Sequence, residues 1–121
     1  MDRTTKRAAD TMLADLANTG GGTYESGTLL PFTPKVGFAV GLGGVHFPAS
    51  MVTAKLLVQY AKAVTTEHEA SFVGTWLDKG IVYIDAVVYY GSHARRTAIE
   101  QGREAGQQAI FDFSTGEDIT L

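Results

Sequence analysis

The sequence predicts an α+β fold, a single domain spanning residues 1–121, in which three helices alternate with three β-hairpins of one antiparallel sheet. Apolar residues recur with the helical period in three segments, and apolar and polar residues alternate in the intervals, as is typical of half-buried strands. No Pro-, Gly- or Ser-rich linker divides the chain. The predicted order is helix, hairpin, helix, hairpin, helix, hairpin.

The first predicted helix runs from Thr4 to Asn18 and ends at the glycines Gly20 to Gly22. Residues 23–35 contain one glycine, two prolines and no periodic pattern, which predicts a long loop. Two short apolar runs then flank Gly43-Gly44, a pair that suits a two-residue hairpin turn. The first hairpin is therefore predicted between Val36 and Phe47.

The second helix is predicted to begin near Ser50 and to end near Thr66, with an apolar stripe that makes it the best candidate for the core. The third is predicted from His93 to Ala105. Its inner face consists mostly of small residues, so we expect it to pack close to the sheet. The small inner residues are Ala98, Gly102 and Ala105.

The central hairpin is predicted over residues 71–90, with Asp78-Lys79-Gly80 as a three-residue loop and Leu77 paired with Ile81. This register assigns one face to the core and leaves a mixed face opposite. The predicted core face holds Phe72, Gly74, Trp76, Val82, Ile84, Ala86 and Val88. The predicted mixed face holds Ser71, Val73, Thr75, Tyr83, Asp85, Val87 and Tyr89.

The third hairpin is predicted over residues 108–121, with a turn at Ser114-Thr115-Gly116. The expected register places Asp112 opposite Asp118, where like charges destabilise a strand pair. A divalent cation or arginines of the third helix could compensate. Exposed carboxylates also occur at sheet edges simply because they discourage aggregation, and this is the preferred interpretation.

Composition narrows the classes of function. The absence of Cys excludes disulfides and thiolate zinc sites. A net charge of −3 argues against nonspecific binding to nucleic acid. The apolar stretches are too short to span a membrane, and the first residues lack the apolar core of a signal peptide, so a cytoplasmic protein without a membrane partner is predicted.

Motifs of catalysis are missing. Gly41 to Gly44 lacks the lysine and the following helix of a phosphate-binding loop, and no His spacing matches a metal site. Glu67-His68-Glu69 is interpreted as a solvated helix end, because neighbouring side chains diverge on regular backbone. No catalytic residue, metal or cofactor is therefore predicted.

Candidate binding residues come from two places. The predicted mixed face supplies Thr75, Tyr83, Asp85 and Tyr89. These residues are candidates because aromatic side chains with polar tips suit interfaces. Arg96 and Arg103 of the third helix add an anion-binding candidate, although their spacing with Glu100 also fits a salt-bridged solvent face. The alternative for the tyrosines is that another layer, such as the first helix, covers them.

Residues 74–85 (GTWLDKGIVYID), followed by Ala98 and residues 108–112 (QAIFD), resemble small uncharacterised proteins of actinobacterial phages and their hosts. The resemblance covers about the last fifty residues and carries no catalytic motif. It implies a phage or mobile-element origin and an accessory role acting on a host protein.

The leading functional hypothesis is a noncatalytic protein-interaction module whose partner is a host protein or a second copy of the chain. The first alternative is a small-molecule-binding protein or small enzyme that uses the Gly-rich first hairpin, His46 and the 23–35 loop as a lid. A pocket enclosed by those segments would favour it. The second alternative is a structural subunit of a virion that assembles as a homo-oligomer through its sheet edges.

Overall fold

The computed structural model describes residues 1–121 as an α+β fold of three helices and six strands. The helices are α1 (Arg3–Thr19), α2 (Ala54–Glu67) and α3 (Arg95–Glu104). The strands are β1 (Gly21–Glu25), β2 (Phe38–Pro48), β3 (Phe72–Asp78), β4 (Ile81–Tyr90), β5 (Ala109–Asp112) and β6 (Glu117–Thr120). The predicted fold class and all three predicted helices are confirmed. No helix has the length and apolar character that crossing a membrane requires.

The six strands form one antiparallel sheet in the order β1-β3-β4-β2-β5-β6. The hairpins β3-β4 and β5-β6 were predicted. The strict alternation of hairpins and helices is wrong in its first unit, because β1 and β2 are not paired with each other. β1 pairs with β3 at one edge, whereas β2 lies between β4 and β5 in the middle of the sheet.

The glycines of β2 form a bulge instead of a turn. β2 continues through Gly43-Gly44 and pairs with β4 along its length, with a shift of register between Gly41 and Gly43. Gly43 has a φ of +123°, which glycine adopts without strain, so one extra residue is accommodated without reversing the chain. A local glycine pattern does not distinguish these outcomes; the long partner strand β4 decides between them.

The predicted 23–35 loop begins with a strand. Gly20 ends α1 in the left-handed conformation, as expected, and β1 starts at the next residue. The side chain of Tyr24 is fully buried, and its hydroxyl donates a hydrogen bond to the Asp15 carboxylate of α1 at 2.5 Å. β1 is thereby held against α1. The remaining connection between β1 and β2 covers residues 26–37.

The β3-β4 hairpin has a two-residue loop, Lys79-Gly80, with Asp78 paired to Ile81. Both loop residues have positive φ, +50° and +78°, as the mirror-image turn of a tight hairpin requires. The predicted register was wrong by one residue on β3, and such a slip moves every side chain of that strand to the other face. Val73, Thr75 and Leu77 therefore share a face with Val82, Ile84 and Ala86. Phe72, Gly74 and Trp76 lie on the opposite face.

All three helices pack on one face of the sheet. α1 and α2 cover the larger apolar cluster, which includes Met12, Leu57, Val73 and Ile84, and α3 covers a smaller cluster around Val40 and Ile110. The predicted close approach of α3 is observed. A Cβ at Gly102 would lie 2.6 Å from Leu121 Cδ1 and 2.8 Å from Ile110 Cγ2. The opposite face, called the open face below, carries no helix.

The β5-β6 hairpin corrects the prediction about two carboxylates. Asp112 pairs with Glu117, and Asp118 pairs with Phe111, so Asp112 and Asp118 lie on opposite faces of the sheet. Asp112 is buried, and its Oδ1 accepts hydrogen bonds from the Ser114 hydroxyl at 2.7 Å and the Ser114 amide at 2.9 Å. These bonds lower the pKa of Asp112. No cation is needed to separate the two carboxylates.

Candidate functional site on the open face

The open face is a concave groove of about 820 Å³. Gly21 and Gly22 of β1 line it together with Gly116 and Asp118 at the far edge of the sheet. In a flat sheet of six strands these edges would be about 24 Å apart, because neighbouring strands are spaced by roughly 4.8 Å. A cavity shared by both edges therefore requires a curled sheet, and the bulge in β2 supplies a bend near the middle.

Small side chains keep the centre of the groove open. Ala39, Gly41 and Gly74 line the cavity there, so the backbone of three central strands is covered by little more than Val87 and Asp85. A Cβ at Gly74 would lie 3.0 Å from Val87 Cγ2, which shows how closely that side chain fills the space over β3. The glycine-rich composition thus produces depth in the sheet face as well as turns.

Asp85 lies at the centre of this floor. Its cross-strand neighbours are Gly74 on β3 and Gly44 on β2, neither of which has a side chain. Burial raises the pKa of the Asp85 carboxyl, and the charges of His46 and His68 partly oppose that effect; no hydrogen bond contributes. The carboxylate is therefore partly desolvated without a bonded partner.

Gln107 approaches the same part of the floor. A Cβ at Gly41 would meet the Gln107 side chain at 3.4 Å and Asp85 Oδ2 at 3.6 Å. The amide of Gln107 and the carboxylate of Asp85 therefore flank one glycine. The amide atom nearest Gly41 is Oε1 of Gln107, so the two side chains give the floor of the groove a neutral and an anionic acceptor.

Aromatic rings form one side of the groove. Trp76 pairs with Tyr83 across β3 and β4, and His46 of β2 lies 5.6 Å from Tyr83 between ring centroids. Trp76 is 46% exposed, which is unusual for the largest apolar side chain of the protein. Trp76 was predicted on the core face because the predicted register was wrong by one residue on β3. If Lys79-Gly80 alone is taken as the loop, Trp76 is predicted on the open face.

A second group of rings, the aromatic end, closes one end of the groove. Phe32 from the 26–37 connection stacks on Phe72 at 4.3 Å and meets Tyr89 edge-on at 5.0 Å. It also lies 6.1 Å from Phe113 beyond β5, so a ring from one side of the groove reaches a ring from the other. The Tyr89 hydroxyl donates a hydrogen bond to the Val36 carbonyl at 2.5 Å, which fixes this connection over the sheet.

The charged side chains that line the groove are acidic, and the imidazoles of His46 and His68 lie beside it, near Asp85. Three aspartates line it, Asp78, Asp85 and Asp118, and no Lys, Arg or His is among its lining residues. Burial raises the pKa of Asp118, as it does for Asp85. No group of three or more His, Cys, Asp or Glu side chains is arranged to hold a metal ion.

The six predicted binding residues lie in four separate places. Tyr83 and Asp85 line the groove, and Tyr89 belongs to the aromatic end. Thr75 borders the groove, but its side chain was expected on the open face and lies on the helix face instead, 4% exposed, where its hydroxyl accepts a hydrogen bond from the Gly22 amide. Arg96 and Arg103 line a shallow depression on the surface of α3.

The expected covering layer exists for one tyrosine only. The 26–37 connection, and not α1, packs its Phe32 against Tyr89, while Tyr83 lines the cavity. The predicted lid segment does contribute to the groove through Thr23, Phe32 and Thr33. Comparisons of the chain with protein-family models, with curated proteins and with solved structures each find no match.

Proposed function

We propose that this protein binds a small organic molecule in the concave groove of its sheet. The observation that supports the proposal is the groove itself. Its volume of about 820 Å³ falls within the range of roughly 300 to 1,000 Å³ that is usual for ligand sites. Rings lie at one side and one end of it, and polar groups converge on its floor, two features that it shares with such sites.

The geometry of the groove favours a compact ligand over an extended chain. The aromatic end bridges one end of the cavity through Phe32 and Phe113, so a long chain could not continue through it. The small residues Ala39, Gly41 and Gly74 line the centre of the cavity, so a compact ligand can lie against the floor there. No nucleophile paired with a base lines the groove, so we propose binding rather than catalysis.

A substitution that fills the floor tests the proposal. Gly41 has an ordinary backbone conformation and faces the groove, so Gly41→Leu places an isobutyl group beside Asp85 and Gln107. We expect ligands found by NMR screening of a fragment library to lose at least about tenfold in affinity, a change of roughly 1.4 kcal/mol. Chemical-shift changes in the unsubstituted protein should map to the groove.

Gly91→Leu is the matched control, because a Cβ at Gly91 meets nothing within 4 Å and its φ of −68° tolerates any residue. It should leave affinity unchanged. Ligands that bind both variants equally, or shifts that map to α3 instead of the groove, would contradict the proposal.

A protein partner is the second candidate, favoured by the exposure of Trp76 at the side of the groove. Tryptophan is over-represented among residues that dominate binding energy at interfaces. This candidate retains the noncatalytic interaction module predicted from the sequence, with its phage-derived accessory role. In pull-downs with a purified partner, Trp76→Ala should abolish capture, whereas Leu30→Ala, another exposed apolar residue, should not.

A further inference from the structure

We propose that the ligand of the concave groove is an organic cation, an ammonium or guanidinium compound with an apolar body, whose charged group pairs with Asp85 beside the rings of Trp76 and Tyr83. This inference rests on the proposed function and names its ligand class. It is carried by the charge, the unpaired carboxylate and the rings of one cavity.

The sign of the charge selects the ligand. Three aspartates and no basic side chain line the groove. A concave surface with charges of one sign concentrates ions of the opposite sign, because the low-dielectric walls focus the field. Anionic ligands would meet three carboxylates without a compensating arginine or lysine. The groove therefore discriminates against carboxylates and phosphates.

Asp85 supplies the anchor. Its neighbours in register are glycines, its pKa is raised by burial, and no hydrogen bond stabilises its charge. The carboxylate accepts no hydrogen bond from the protein and is only half-buried, so a cation bound in the groove would give it a charged partner. The imidazoles of His46 and His68 lie close enough to affect its pKa, but neither forms a hydrogen bond with it.

The rings define the rest of the ligand. Trp76 pairs with Tyr83, and Asp85 follows Tyr83 by two residues on the same face, so Trp76 is the diagonal neighbour of Asp85. Diagonal positions lie about 7 to 8 Å apart, within reach of an aromatic side chain. A cation held at Asp85 can therefore contact the face of a ring, an interaction worth about 0.5 to 2 kcal/mol.

A metal ion does not fit the same position. Hard cations such as calcium take roughly six to eight oxygen ligands. No group of three or more acidic or imidazole side chains is arranged here to supply them. An ammonium or guanidinium group needs only one carboxylate and a few acceptors. Its apolar remainder would occupy the space over Gly41, Val87 and Gly74.

Three probes of similar size separate charge from shape: 2-phenylethylamine, 2-phenylethanol and phenylacetate. Each is titrated into the ¹⁵N-labelled protein at pH 7 and low salt. We expect the amine to bind at least about tenfold more tightly than the alcohol. Phenylacetate should bind more weakly than either. The largest shifts should include the Trp76 indole and the backbone of Asp85.

Asp85→Asn should reduce affinity for the amine about tenfold and leave affinity for the alcohol unchanged. Asp10→Asn makes the same change of net charge on the exposed surface of α1, outside the groove, and should change neither affinity. The amide spectrum and melting temperature of each variant report whether it is folded.

Two negative results are distinguishable. If the alcohol or phenylacetate binds as tightly as the amine, or if Asp85→Asn retains the affinity for the amine, the proposal of a cationic ligand is wrong. The proposed function then still holds, with a ligand of another class in the groove. If no probe at millimolar concentration shifts any groove residue, and the fragment screen also finds none, the proposed function itself fails.

Discussion

Asp85 occupies its position because glycines leave room for it. At Gly44 a Cβ would lie 1.9 Å from the Ile84 carbonyl oxygen and 2.8 Å from Asp85 Oδ1, so any larger residue would push β2 away from β4. The bulged segment of β2 therefore determines where the carboxylate lies. The same arrangement removes the polar neighbours that would normally stabilise a charged aspartate on a sheet.

The raised pKa of Asp85 makes the stability of the protein depend on pH. In the folded protein burial favours the neutral acid, so the folded state holds its proton to higher pH than the unfolded chain does. Stability from this residue is complete below the ordinary pKa of aspartate, and it is lost as pH rises through the folded-state value. Above that window the ionised Asp85 destabilises the fold.

Asp85→Asn removes this ionisation, so we expect a melting temperature a few degrees higher than that of the unsubstituted protein at pH 7. The difference should shrink as the pH falls below the ordinary range for aspartate. Thermal denaturation followed by circular dichroism measures both, at pH values on either side of the ordinary aspartate pKa of 3.8. A variant that is less stable at pH 7 would show that the carboxylate has a stabilising partner.

Among the elements, the β3-β4 hairpin decides which side chains face the groove. Its loop of two residues needs positive φ at both, and Lys79 adopts φ +50° although it has a side chain. Left-handed conformations cost a typical non-glycine residue roughly 1 to 2 kcal/mol, whereas asparagine tolerates them better. The hairpin therefore carries some backbone strain in its turn.

Lys79→Asn converts the loop to Asn-Gly, the preferred pair for this turn, and should stabilise the protein by up to about 1 kcal/mol. Chemical denaturation measures the change. Lys79→Ala is the control, since it removes the same charge without relieving the conformation. Equal effects of the two substitutions would indicate that charge, and not the turn, is responsible.

The sequence predicted this hairpin and the apolar alternation of β4 correctly, and it identified Tyr83 and Asp85 as candidates. Local patterns determine such features, because the period-two alternation of one strand is independent of its partners. The faces of Thr75 and Trp76 were not predicted, because a difference of one residue in loop length moves the side chains of β3 to the opposite face. The strand through Gly43-Gly44 was also missed, since pairing with a distant strand overrides turn composition.

For the whole molecule, Tyr89 connects the groove to the loop that closes it. Its hydroxyl holds the Val36 carbonyl, and its ring contacts Phe32 and lies 5.9 Å from Phe113. Tyr83, by contrast, has one ring neighbour in His46 and lines the cavity. Tyr83 and Tyr89 therefore differ in their surroundings, since Tyr89 packs against the 26–37 connection and Tyr83 lines the cavity.

Tyr89→Ala should lower the free energy of unfolding by about 1 to 3 kcal/mol and increase hydrogen exchange in residues 26–37. Tyr83→Ala should change stability by less than about 1 kcal/mol and weaken binding of 2-phenylethylamine. Urea denaturation, exchange measured by mass spectrometry and the NMR titration give the three results. If Tyr89→Ala leaves stability and hydrogen exchange unchanged, the other rings of the aromatic end hold the 26–37 connection over the groove.

The strand order makes the groove the product of distant parts of the chain. Gly21 and Asp118 form opposite walls although nearly the whole sequence separates them, and only two of the five strand pairings join strands next to each other in the chain. Domains rich in such nonlocal pairings fold in about milliseconds to seconds, because loop closure precedes the contacts that reward it. The hairpins can form early, whereas the cavity exists only after both edges have docked. A ligand would therefore slow unfolding without accelerating folding, a kinetic asymmetry visible in the two arms of a chevron plot.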